Sequence, residues 1–148
     1  MEGRWLAYVI ISLFLVSCAG SGEGLDENGN PIGSGNNSTE LEATLSSIQT
    51  NIFDAKCIKC HAGAGAPQGL MLDSGNSFDM LVGMPSSEDS SLDLVTPSDA
   101  DNSYIVVKIV ESDPQRLGAR MPQDGPPYLS DEEIQAIRDW ITAGATNN

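Results

Sequence analysis

Cys57-Ile58-Lys59-Cys60-His61 constrains this chain more than any other stretch. Cys-x-x-Cys-His is the attachment signature for a c-type haem. Two thiols three positions apart share one face of a helical turn and can form thioethers to the two vinyl groups of one porphyrin. The histidine directly after them then sits under the iron and supplies an axial nitrogen. Other chemistries use parts of this pattern. A thioredoxin-like Cys-x-x-Cys pair wants a βαβ context, and none is visible in the chain. A zinc site needs four ligands, but the chain has a single histidine and no plausible fourth thiol. A disulfide between Cys57 and Cys60 leaves His61 without a purpose. The expected cofactor is therefore one covalent haem c, with Cys57 and Cys60 as thioether sites and His61 as the proximal iron ligand.

The start of the chain reads as an export signal. Trp5 to Val16 is an uninterrupted apolar and small-residue run. It is too short to span a bilayer as a helix but suits a signal-peptide core. It leads into Leu15-Val16-Ser17-Cys18, which resembles the bacterial lipobox. That resemblance implies a signal peptide over residues 1–17 and lipid modification of Cys18. The three cysteines then divide into one anchor and two thioethers. Export agrees with the haem motif, since c-type haem is attached outside the bacterial cytosol. The expected location is a membrane surface facing the periplasm or the cell exterior. Ala19, rather than aspartate, after Cys18 leans this towards an outer membrane.

Charge restricts the partners. The chain carries 21 acidic and 7 basic residues, a formal charge of −14. Removing residues 1–17 takes one acid and one base, so the excess survives processing. Such a surface argues against nucleic acid and against attraction to anionic lipid. Membrane association is expected through the lipid anchor, and redox protein partners through a basic docking patch of their own.

Residues 18–38 are rich in glycine, serine, asparagine and acid, with no apolar periodicity. Such a segment reads as a flexible tether, reaching about 25 Å on average. Residues 39–148 are expected to form the folded domain. Thr39 and Glu42 have capping-box spacing, and Leu41, Leu45, Ile48 and Ile52 follow at helical intervals, predicting a helix that runs into Phe53 and the haem motif. Residues 62–69 read as a loop and Phe78 to Val82 as a short helix. Gly83 to Asp101 reads as loop. Ser103 to Val110 is ambiguous between strand and helix; with no partner strand evident, helix is the better reading. The last helix is the clearest: Ser130 and Glu133 form a capping box, Ile134, Ile137, Trp140 and Ile141 form one face, and Gly144 stops it. Five aromatic residues remain after processing, a thin core that a buried porphyrin would complete.

Over roughly Leu45 to Ala145 these features resemble the single-haem cytochrome c superfamily, with the nearest likeness to domains of bacterial exported proteins. The resemblance rests on Ile52-Phe53 and Cys57-Cys60-His61, Gly69-Leu70 and Leu72-Asp73, Ser103-Tyr104 with Lys108-Ile109, Arg120-Met121-Pro122, and Leu129 onwards through Trp140-Ile141 and Gly144-Ala145. It implies an all-α, compact fold with crossing N- and C-terminal helices around one haem. It also implies Met121 as the distal iron ligand. Met84, likewise in a loop beside a proline, is the alternative, while Met71 and Met80 lie in or beside apolar runs and read as core packing. Lys56 and Lys59 offer either a small positive docking spot or plain helix surface. Arg120 reads as a propionate partner or a solvated loop residue, and Tyr104 and Trp140 as haem contacts or core.

The function expected from this is one-electron transfer between redox partners by a membrane-tethered monohaem cytochrome, a carrier rather than an enzyme. Two other readings stay open. One is a haem enzyme or gas-binding sensor with an open distal site. The other is a haem relay subunit of a larger oxidoreductase.

Overall fold

Thr44 marks where the chain begins to coil. Its extended backbone and side-chain oxygen, which accepts from the Ser47 amide at 3.2 Å, cap the first helix. The computed structural model describes residues 41–148; the expected signal peptide, Cys18, the expected tether and Thr39 lie outside the described residues. The expected Thr39–Glu42 box does not start the helix. Glu42 precedes it and its amide donates to Ser47 Oγ at 3.0 Å, so the cap falls five residues later than the spacing predicts.

Helix α1, Leu45–Ile48, runs on without a break as a π-helix, Gln49–Cys57, in which bonds such as Ile58 N–H to Phe53 C=O (3.0 Å) span five residues. Apolar residues at Ile48, Ile52 and Phe53 still fall on one buried face. The chain then tightens: both the Cys60 and His61 amides donate to the Cys57 carbonyl, at 3.1 and 2.9 Å. A short 3₁₀ turn, Pro67–Gly69, is followed by α2, Ser77–Leu81, α3, Tyr104–Ile109, and α4, Asp131–Thr142. The run from Ser103 to Val110 is thus a helix, Tyr104–Ile109, between two extended caps. The described residues contain no strand, and none of their helices is long and apolar enough to cross a membrane.

Gly83–Asp101 is more ordered than a plain loop. Val82 pairs with Val95 and Pro85 with Asp93, folding the segment back on itself. The anchor is Val95, fully buried next to Leu94 in a run of apolar residues too short to fix a period.

Helix α4 follows its sequence signals closely. Ser130 Oγ accepts from the Glu133 amide while Glu133 Oε2 accepts from the Ser130 amide at 2.8 Å. At the other end Ala145 N–H bonds the Trp140 carbonyl and Gly144 N–H the Ile141 carbonyl, both at 2.9 Å. This closure needs positive φ at Gly144 (+106°), which a glycine adopts without strain. Ile137, Trp140 and Ile141 enter the core with Ile48, Ile52 and Phe53. Trp140 belongs to that core, its indole N–H donating to Thr146 C=O at 2.9 Å.

The first and last helices also meet through polar contacts. Lys56 Nζ lies 2.6 Å from Glu133 Oε2, the same oxygen that caps α4. Asn148 accepts from the Leu45 amide with its side chain and from the Ser46 amide with its main chain, each at 2.9 Å. Glu133→Ala removes half the capping box and the ion pair together, and is expected to lower unfolding free energy by about 1–2 kcal/mol in urea titrations. Glu133→Gln, which keeps an acceptor for Ser130, should recover roughly half of that.

Candidate functional site

A cavity of about 500 Å³ opens beside the Cys57–His61 turn. Its walls include Ile52, Phe53, Leu70, Leu129 and Ile137, so the greater part of the lining is apolar. The volume falls within the roughly 300–1,000 Å³ usual for cofactor sites.

Cys57, Cys60 and His61 all line this cavity. Cys57 sits at the end of the π-helix, half-buried, whereas Cys60 is exposed at the rim. Burial pushes the Cys57 thiol up to about 11, with Glu133 adding to the rise and Lys56 opposing it. A thiol held that high stays protonated at neutral pH and resists oxidation to a disulfide.

His61 is held by a contact the sequence did not reveal. Its Nδ1 lies 3.1 Å from the Leu70 carbonyl oxygen. A carbonyl can only accept, so Nδ1 carries the proton and Nε2 keeps its lone pair for a metal. The Leu72 amide donates back to the His61 carbonyl at 2.8 Å. The backbone of one short segment therefore grips the histidine at both its ring and its main chain. Glycine and proline spacing announced a loop here, but not which carbonyl would come to face the ring.

Among the described residues three methionines line the cavity: Met80, Met84 and Met121. Met121 is half-buried and packs against the core, with its amide donating to the Lys108 carbonyl at 2.8 Å. Met84 is 43% exposed. The expectation that Met71 and Met80 are core packing is corrected: neither belongs to the buried cluster, and Met80 faces the cavity from α2.

The basic residues divide by contact. Lys56 pairs with Glu133, and Lys59 pairs with Asp124 at 2.7 Å in the open. Each carries its own carboxylate, so they do not form a free positive spot. Arg120 ties the Met121 loop to α3, its Nε donating to Ile109 C=O at 2.7 Å and its guanidinium stacking 4.3 Å from the Tyr128 ring centre.

Tyr104 and Lys108, on successive turns of α3, reach the cavity wall together with Glu88. Glu88 Oε2 accepts from Lys108 Nζ at 2.7 Å and from the Tyr104 hydroxyl at 2.9 Å, and Lys108 also donates to Leu117 C=O at 2.8 Å. Partial burial opposes the Glu88 charge, but the hydrogen bonds from Lys108 and Tyr104 and the lysine's charge outweigh it and hold the carboxyl below its ordinary range. Burial and the bond to Glu88 raise the Tyr104 hydroxyl against the opposing Leu117 amide.

Lys108 is buried, so Lys108→Met leaves the Leu117 carbonyl without its side-chain donor and Glu88 with the Tyr104 hydroxyl alone. The expected loss is about 1–3 kcal/mol at neutral pH. Since the folded protein lowers the Glu88 pKa, the pair stabilises above the ordinary carboxylate range and stops doing so as pH falls through the lowered value. The gap between variant and wild type in urea titrations should accordingly shrink at acid pH.

The donor set suits a c-type haem: two thiols, one histidine with its outer nitrogen engaged, and an apolar chamber lined by thioether sulfurs. A family model described as cytochrome c matches residues 50–144. No curated relative and no solved structure matches the chain. The matched span contains Cys57 and Cys60, and its cofactor is covalently attached haem c. Because that span takes in well over half of the sequence, together with the thiols and the histidine that line the cavity, the chain belongs to the cytochrome c family.

Proposed function

We propose that this protein is a monohaem electron carrier tethered to a membrane through a lipid on Cys18, with His61 and Met121 as the axial ligands of its iron. Electron transfer through c-type haem is what the family does. The observation that carries it is the arrangement around one apolar cavity, with Cys57, Cys60 and His61 at one part of the wall and the half-buried Met121 at another.

When bound, the haem supplies a reversible one-electron change at iron. The rest is the work of the chain. Leu70 C=O holds the proton on His61 Nδ1 and keeps Nε2 free. Lys108 C=O and Arg120 hold the loop that bears Met121, so that a sulfur can be offered without rearrangement. Ile52, Phe53, Leu129 and Ile137 exclude water, which favours the less charged ferrous state. We propose that the terminal helices cross beside the haem, as α1 and α4 do make contact. The exposed Cys60 marks the edge where electrons leave and enter.

Lys56 and Lys59 are neutralised by Glu133 and Asp124, and the overall charge is −14. The redox partner then presents a basic patch, and electron exchange slows as salt rises. The deciding experiment is the absorption spectrum of haem-loaded, reduced protein with and without carbon monoxide. A low-spin spectrum that carbon monoxide leaves unchanged supports a closed carrier. Prompt binding replaces it with an open site, as in an enzyme or gas sensor.

A further inference from the structure

We propose that Gln49 is a positioning residue for His61, acting through the backbone of Leu70–Leu72. This rests on the reading of His61 as an axial ligand and adds a residue that no motif in the sequence singles out.

Gln49 opens the π-helix and is only 8% exposed. Both N–H donors and the carbonyl oxygen of its amide are engaged. Nε2 donates to Leu72 C=O at 2.8 Å and to Asp54 Oδ1 at 2.6 Å, while Oε1 accepts from Ser77 Oγ at 2.5 Å. The two acceptors facing Nε2 and the hydroxyl facing Oε1 leave a single orientation for the amide. Asp54 is five residues on, the neighbour that a π-helix brings alongside.

The bond to Leu72 is the one that reaches the iron ligand. Leu72 presents its carbonyl to Gln49 and its amide to the His61 carbonyl. Two residues earlier, the Leu70 carbonyl takes the His61 ring proton. Gln49 thus fixes the strand of backbone that sets both the direction and the strength of the hydrogen bond to Nδ1. A strong bond there makes the imidazole a better donor and favours Fe(III); a loosened one favours Fe(II). Gln49 touches neither haem nor iron ligand, so its effect is read in the redox equilibrium.

The test compares the reduction potentials of haem-loaded Gln49→Met and Ser77→Ala. Both break the same buried network, but only the first removes the donor to Leu72. Gln49→Met is expected to raise the Fe(II)/Fe(III) ratio at fixed potential about tenfold, roughly 59 mV for one electron, and Ser77→Ala to leave it unchanged. Equal potentials in Gln49→Met and wild type, or equal shifts in both variants, overturn the proposal. Where Gln49→Met yields no holoprotein, the wild type decides. Its reduced form should show slowly exchanging Gln49 Nε2 protons and a through-hydrogen-bond coupling from that nitrogen to the Leu72 carbonyl carbon, and their absence overturns it equally. A wild-type spectrum without low-spin histidine ligation would instead sink the reading of His61, which keeps the two failures apart.

Discussion

Protein with both Cys57→Ala and Cys60→Ala should emerge from a haem-attaching export system without covalently held haem, visible as complete loss of haem staining on a denaturing gel. Each single variant keeps one thiol and should retain weakened staining. The pair line one cavity, Cys57 from the end of the π-helix and Cys60 from the rim. Among the described residues no other thiol lines it. The consequence for stability should be large as well. A chamber of about 500 Å³, walled by Ile52, Phe53 and Ile137, is left to water. The double variant is expected to lose at least the roughly 3–5 kcal/mol of a large-to-small core replacement, measured as a lowered urea midpoint. Full haem staining in the double variant would refute the assignment of these thiols.

Met121→Ala should open the sixth position of the iron. The reduced variant is expected to bind carbon monoxide promptly, where wild type does not, and its potential should fall by on the order of 0.1 V, because a thioether sulfur favours Fe(II). Met84→Ala and Met80→Ala provide the contrast. Both side chains line the cavity, yet Met84 is 43% exposed and neither packs against the core. Their spectra should be unaffected. Carbon monoxide binding by Met84→Ala and not by Met121→Ala would move the distal ligand to Met84.

Local signals carried the sequence reading a long way. The Cys57–His61 motif and the Ser130–Glu133 box each depend on residues within one turn, and the structure keeps both turns as the spacing implies. Helix α1 shows the limit of the same logic. Thr39–Glu42 has the right spacing, but Thr44 has a helix directly behind it and takes the cap. Ile48, Ile52 and Phe53 suit an α-helix and a π-helix equally, so the widening at Gln49 leaves no trace in hydrophobic periodicity. Contacts that depend on the path of the chain were hidden altogether. Leu70 C=O meets His61 across a glycine-rich loop, and Lys108 finds Glu88 twenty residues earlier. A lysine in an apolar run looks like a solvated position on a helix; only the tertiary fold shows it buried with a partner.

The contact between Asn148 and the first turn of α1 has a meaning for local unfolding. Helix starts leave amides without partners, and here those of Leu45 and Ser46 are satisfied by Asn148. The tail and the helix leading to Cys57 therefore cannot fray independently. In hydrogen exchange the Leu45 and Ser46 amides should open with the tail, as parts of one cooperative unit. Through these bonds Asn148 guards the first turn of the helix that leads to Cys57.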